Sequence, residues 1–166
     1  MEYTNISMIG DQNVRYVLKK VGQNPLIVLG VNPSTADDVT SDRTMTRVCG
    51  FADKMGFDSF VMLNVYPLRS TKIEELPAEL NPDLHQKNLL YITDEISKID
   101  NPTILVAHGN SISKKKYLRS CLQDILKELA QFKTAKFIQL GDLTNEGNPR
   151  HPLMARGDIE IKEYKF

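Results

Sequence analysis

Two polar segments stand out by residue type and by where they fall. Gly30-Val31-Asn32-Pro33-Ser34-Thr35-Ala36-Asp37-Asp38 follows a short apolar run, and Pro149-Arg150-His151-Pro152-Leu153 lies near the end of the chain. Pro33 restricts the residue before it to extended conformations, so the Asn32 amide sits on a fixed turn. Ser34 and Thr35 add hydroxyls and backbone N–H groups, a set suited to an anion or a sugar-phosphate. The segment is not a P-loop, because the glycine spacing and the Lys-Ser/Thr ending are missing. His151 admits two readings, a site residue or a hydrogen bond that holds its own loop.

Two further segments carry similar chemistry. In Asn64-Val65-Tyr66-Pro67-Leu68-Arg69-Ser70-Thr71, Asn64 either faces a ligand or ties down its loop. Tyr66 either stacks on a base or packs. Arg69 either pairs with a phosphate or carboxylate or points to solvent. In His108-Gly109-Asn110-Ser111, His108 either stacks on a base or caps the next helix, and Asn110 is a further polar contact. Arg43 and Arg47, one turn apart, are placed to neutralise Asp37 or Asp38. Lys114, Lys115, Lys116 and Arg119 form the basic cluster, read as a solvated helix face or as a phosphate track. His85, beside Asp83, reads as a solvated surface residue. Asp37, Asp38 and Asp42 lack the EF-hand spacing, no histidine pair shares a helix face, and neither a metal nor a cofactor is expected.

The elements that position these segments follow from periodicity. Leu26–Val31, Phe60–Leu63, Thr103–Ala107 and Lys136–Leu140 are short apolar runs of the kind buried on both faces of a parallel sheet. Helical stripes separate them: Met45, Val48, Cys49, Ala52 and Met55 after a Ser41-Asp42 cap; Leu89, Ile92, Ile96 and Ile99 behind Pro82; and Leu118, Cys121, Leu122, Ile125, Leu126 and Leu129 behind a Ser111/Ser113 cap. Tyr3–Met8 and Arg15–Lys19 read as an antiparallel hairpin turning at Gly10-Asp11. Alternation of strand and helix predicts an α/β sandwich with a parallel central sheet. In such sheets ligands bind beyond the carboxyl ends of the strands, where all four polar segments fall. The expected organisation is a single domain over 1–166, with a hairpin over 1–20, a core over 26–153 and a tail over 154–166.

Composition narrows the function. A chain of 166 residues with 41% hydrophobic and 25% charged residues is globular. Lys+Arg and Asp+Glu are both 21, a balance that excludes a strongly basic nucleic-acid coat and a polybasic membrane anchor. Cys49 and Cys121 read as buried free thiols rather than a disulfide framework. The N-terminus has no signal-peptide pattern and no run reaches the ~20 apolar residues of a membrane span. A cytoplasmic protein with no membrane partner is expected.

GVNPSTADD, DRTMTRVCGFADKMGF, LNVYPLRST, VAHGN and GNPRHPL, in this order, resemble the bacterial and phage domain-of-unknown-function family 1643, from about Arg15 to Leu153. More distantly, Gly30-Val31-Asn32-Pro33-Ser34 is similar to the first motif of the uracil-DNA glycosylase superfamily. Arg150-His151-Pro152-Leu153 is similar to its second. Ser34 stands where that motif has glycine, His108 where a tryptophan is common, and Leu153 follows Pro152 directly. The resemblance implies a three-layer fold with a four-stranded parallel sheet. It also implies an Asn32 that places the attacking water and a His151 that hydrogen-bonds a departing base. Pro33, Ser34, Thr35, Asn64, Tyr66, Arg69, His108, Asn110 and Arg150 then surround a nucleobase, nucleotide or nucleic acid. A hydrolase of N-glycosidic bonds and a non-catalytic binding module both follow from such a site.

Overall fold

The apolar runs pair into one sheet in the computed structural model, which describes residues 1–166. The strands are β1 (Ile6–Gly10), β2 (Arg15–Lys20), β3 (Pro25–Gly30), β4 (Ser59–Asn64), β5 (Thr103–Val106), β6 (Lys136–Leu140) and β7 (Ile161–Glu163). Their order across the sheet is β1-β2-β4-β3-β5-β6-β7. Neighbours within β4-β3-β5-β6 run parallel. β2 joins β4 antiparallel, β1 joins β2 antiparallel, and β7 joins β6 antiparallel. The fold is therefore mixed α/β with seven strands and not four. The hairpin extends one edge of the sheet, and the segment expected as a tail supplies the strand that extends the other.

Side-chain alternation divides the core. Leu26 and Val28 pack on one face with Met45, Val48, Cys49 and Ala52 of α1 (Arg43–Lys54). Ile27, Leu29, Ile104 and Val106 pack on the other face. Their partners are Ile92 and Ile96 of α2 (Pro82–Ser97), with Leu118, Ile125 and Leu129 of α3 (Lys116–Leu129). Period two in the strands and period 3.6 in the helices make this division. Both cysteines are buried and free, and burial pushes the Cys121 thiol up to about 12.

The helix starts differ in how well residue type foretold them. Asp42 caps α1, its side chain accepting from Met45 N, and Pro82 opens α2 behind Asn81. Ser111 and Ser113 do not cap α3. They lie in a 3-10 turn, Asn110–Ser113, closed by Lys114 N–H donating to Ser111 O. α3 begins after Lys115 with no side-chain cap.

α2 also corrects the reading of His85. It is buried, and its Nε2 lies 2.8 Å from Asp124 Oδ2 on α3. Asn88 and Glu95 are buried on the same helix. Asn88 donates to the carbonyls of Asn64 and Val65, and Glu95 pairs with Lys19 of β2 at 2.7 Å. Each of these polar residues makes at least one bond on this inward stripe, while His85 Nδ1 and Asn88 Oδ1 are left without a partner.

The opposite face predicts a clear cost. Phe60 of β4 is fully buried against that face. Phe60→Ala is expected to lower unfolding stability by about 3–5 kcal/mol in urea titration, and a loss below about 1 kcal/mol would contradict this packing.

Candidate functional site

Strand order creates the site. From β3 the chain crosses through α1 to β4 on one side. From β5 it crosses through α3 to β6 on the other. The loops leaving β3 and β5 therefore part, and a crevice opens between them at the strands' carboxyl ends. A cleft of about 990 Å³ lies there. Asn32, Ser34, Asn64, Asn110, Arg150 and His151 line it, drawn from all four loops.

Asn32 is half-buried and held by three carbonyls. Its Nδ2 donates to Pro33 O at 3.1 Å, Leu68 O at 3.4 Å and Ser70 O at 3.1 Å. These bonds fix which end of the amide is which, and Oδ1 accepts no bond from the protein. The first loop is tied further to the second by Ser70 N donating to Pro33 O. Pro33 is thus part of the frame, and its side chain does not line the cleft.

His151 is fixed from two sides. Its Nδ1 accepts from Leu153 N at 3.2 Å, so in the neutral ring the proton resides on Nε2. Burial lowers its pKa below the ordinary 6.5, against an opposing pull from the Asp42 charge. At neutral pH the ring is an uncharged hydrogen-bond donor. On its other side Gly109, at φ +64°, approaches so closely that a Cβ there would stand 2.9 Å from His151 Cβ. Arg47 corrects its expected role here. It does not reach Asp37 or Asp38 but donates to the carbonyls of Pro152 and Ala155, holding the His151 loop to α1. Asp37 instead accepts from Val39 N and Thr40 N within its own turn.

Asn110 Oδ1 accepts from Thr144 Oγ1 at 2.7 Å and Asn148 Nδ2 at 3.1 Å, joining the loops after β5 and β6. Arg150 Nε donates to Asp142 O at 3.0 Å while the residue lines the cleft. Of the basic cluster, Lys114 lines the cleft and pairs with Glu74 at 3.4 Å. Arg119 is spent on Ser113 and Asn148.

Besides Pro33, four residues expected around the ligand lie elsewhere: Thr35, Tyr66, Arg69 and His108. Tyr66 is fully buried, packs edge-on to Tyr117 and accepts from Asn81 N. His108 is buried as well, with Nδ1 bonded to Gly109 O at 2.9 Å. It neither faces the cleft nor caps a helix. Thr35 and Arg69 line a smaller neighbouring cleft of about 530 Å³, with Ser34 shared between the two. Arg69 donates to Ser34 O, Ala36 O and Asp11 O, so it bolts the first loop to the hairpin.

Arg15 was not foreseen. It is 2% exposed, yet it lines the cleft. Its Nη1 donates to Ala36 O at 3.0 Å and its Nη2 to Asn64 Oδ1 at 3.2 Å. Arg15 Nε and Asn64 Nδ2 are buried with no partner. Burial, reinforced by the Arg69 charge, brings the guanidinium pKa down to about 10, with Asp42 acting the other way. It remains cationic at neutral pH. The available signal was a charged residue directly before an apolar stretch, Arg15-Tyr16-Val17-Leu18.

An α/β sheet flanked by helices, with a polar cleft at the carboxyl ends of its parallel strands, defines the class. Within it, the chain belongs to the family described as protein of unknown function (DUF1643), which matches residues 15–153. No curated protein and no solved structure matches it. No helix is long and apolar enough to cross a membrane.

Two outcomes follow. Gly109→Ala places a side chain against His151 at a positive φ, and is expected to cost about 1–3 kcal/mol in chemical denaturation; an unchanged midpoint would contradict the close approach. The second concerns pH. Burial holds the pKa values of His108 and His151 below 6.5 in the folded chain. On acidification the unfolded chain therefore takes up these protons first. Stability is expected to be full above about pH 7 and to fall towards about pH 5.5, a slope that His151→Gln reduces. Urea midpoints across that range that leave the slope unchanged in the variant would contradict it.

Proposed function

We propose that the cleft binds the base of a nucleoside, nucleotide or nucleic acid and hydrolyses the N-glycosidic bond that joins this base to its sugar. One observation carries this reading: Asn32 and His151 line the same cleft, the first with a free carbonyl-type oxygen, the second with a proton on Nε2. Cleavage of the bond places negative charge on the base and positive charge on the sugar. A neutral histidine N–H aimed at a base oxygen stabilises the first. An amide oxygen that accepts from a water holds the nucleophile in position. Water oxygen bonds to C1′, the C1′–N bond pair leaves with the base, and the water proton ends on the base nitrogen. Asn32 is a weak base, so it acts by placement more than by proton removal.

The motif similarity to the uracil-DNA glycosylase superfamily supports the same reading, as does the parallel arrangement of β4-β3-β5-β6. The balance of 21 basic and 21 acidic residues favours a small or locally gripped nucleotide over sequence-independent scanning of DNA. A second reading, binding without cleavage, is favoured by the way the Asn32 amide nitrogen is committed to backbone carbonyls, which suits a structural post as well as a catalyst.

A panel of nucleosides, nucleotides and single- and double-stranded nucleic acids, assayed for free base, tests the proposal. Wild-type protein is expected to release base from at least one class, with Asn32→Ala and His151→Ala each slower by about 100-fold. Ligand-induced thermal stabilisation without release selects the binding reading. Neither release nor stabilisation by any compound overturns both.

A further inference from the structure

The cleft floor holds a cation that no carboxylate of the protein contacts. Arg15 pairs with no carboxylate; its two hydrogen bonds go to Ala36 O and Asn64 Oδ1. Asp42 is the acid that acts on it, and the Asp42 oxygens are taken by Met45 N and Ala36 N. The second guanidinium, Arg69, converges on the same Ala36 carbonyl and adds like charge.

The unused donors share one region. In a guanidinium, Nε–H and Nη2 lie along the same edge, the edge that grips oxyanions in a two-pronged way. Here Nη2 bonds to Asn64 Oδ1, Nε has no partner, and the other end of the same amide, Asn64 Nδ2, has none either. Buried donors without acceptors are uncommon in folded proteins, and each calls for an explanation. A single acceptor group of negative charge answers both donors and the buried charge together. Gly30, paired with Asn64 across the sheet, lies close against this spot: a Cβ there would stand 2.6 Å from Met62 Cε and 3.0 Å from Asn64 Nδ2.

We infer that Arg15 and Asn64 form a binding subsite for an oxyanion of the ligand, a phosphate in the first instance. This rests on the nucleotide reading only for the identity of the rest of the ligand. The subsite places the ligand's charged group at the sheet, beneath Asn32 and His151, and selects phosphorylated over unphosphorylated compounds.

Calorimetric titration of wild type, Arg15→Lys and Asn64→Asp with inorganic phosphate, nucleosides and nucleoside monophosphates tests it. Wild type is expected to bind monophosphates at least about 10-fold more tightly than the matching nucleosides, and to bind inorganic phosphate weakly. Arg15→Lys keeps the charge but loses the planar fork, and is expected to lose most of that preference. Asn64→Asp supplies the missing anion from within the chain, so it is expected to raise the melting temperature while abolishing phosphate binding. That variant tests the subsite even where Arg15→Lys fails to fold. Equal affinity for nucleosides and monophosphates, or phosphate affinity unchanged in Asn64→Asp, overturns the subsite and leaves nucleoside binding standing. Phosphate binding that depends on Arg15 in a protein that binds no nucleoside supports the subsite and overturns the nucleotide reading instead.

Discussion

Burial of the Arg15 guanidinium beneath the cleft is the constraint on which the arrangement turns. A charge taken out of water without an opposite charge is strongly destabilising unless hydrogen bonds offset it. Here the offsetting bonds reach Ala36 in the first loop and Asn64 at the end of β4. Charge-assisted bonds of this kind contribute about 1.5–3 kcal/mol each. They also decide geometry: the first loop cannot leave β4 without abandoning a buried cation. Asn64 in turn is held from behind by Asn88 of α2, whose amide donates to the Asn64 carbonyl at 2.8 Å. The polar stripe of α2 and the floor of the cleft are thus one connected system.

The two residues with the clearest chemistry depend on this frame. Asn32 keeps its orientation because Leu68 and Ser70 hold its amide nitrogen, and those residues belong to the loop that leaves β4. His151 keeps its orientation because Gly109 lies against it and Arg47 of α1 grips the carbonyls that follow it. Loops carry the functional groups, and rigid elements set where they point.

Much of this was legible in the sequence. Aliphatic runs such as Leu26–Val31 mark buried parallel strands because a strand covered on both faces needs no polar alternation. The polar segments after those runs then mark one edge of one sheet, which brings Asn32 and His151 into a common cleft. What escaped were tertiary compensations. His85 read as a surface residue because nothing in its own helix reveals Asp124 on the next one. Tyr66 and Arg69 carried functional residue types, yet Asn81, Ser34 and Ala36 had already claimed their polar atoms. Arg15 was hidden for the opposite reason: an arginine at the start of a hairpin strand ordinarily points to solvent, and only the tertiary fold around it makes it buried. The seventh strand was short, with three residues, too few for periodicity to show.

The central claim is that a nucleotide seats between Asn32, Asn64 and His151 with its charge towards Arg15. It is tested most directly by nuclear magnetic resonance of the isotope-labelled wild-type protein during titration with nucleoside monophosphates. The account predicts saturable shifts concentrated at the side-chain amides of Asn32 and Asn64, the Arg15 Nε–H, and the backbone of Gly109 and His151. Shifts confined to other surfaces, or none at saturating ligand, would contradict it.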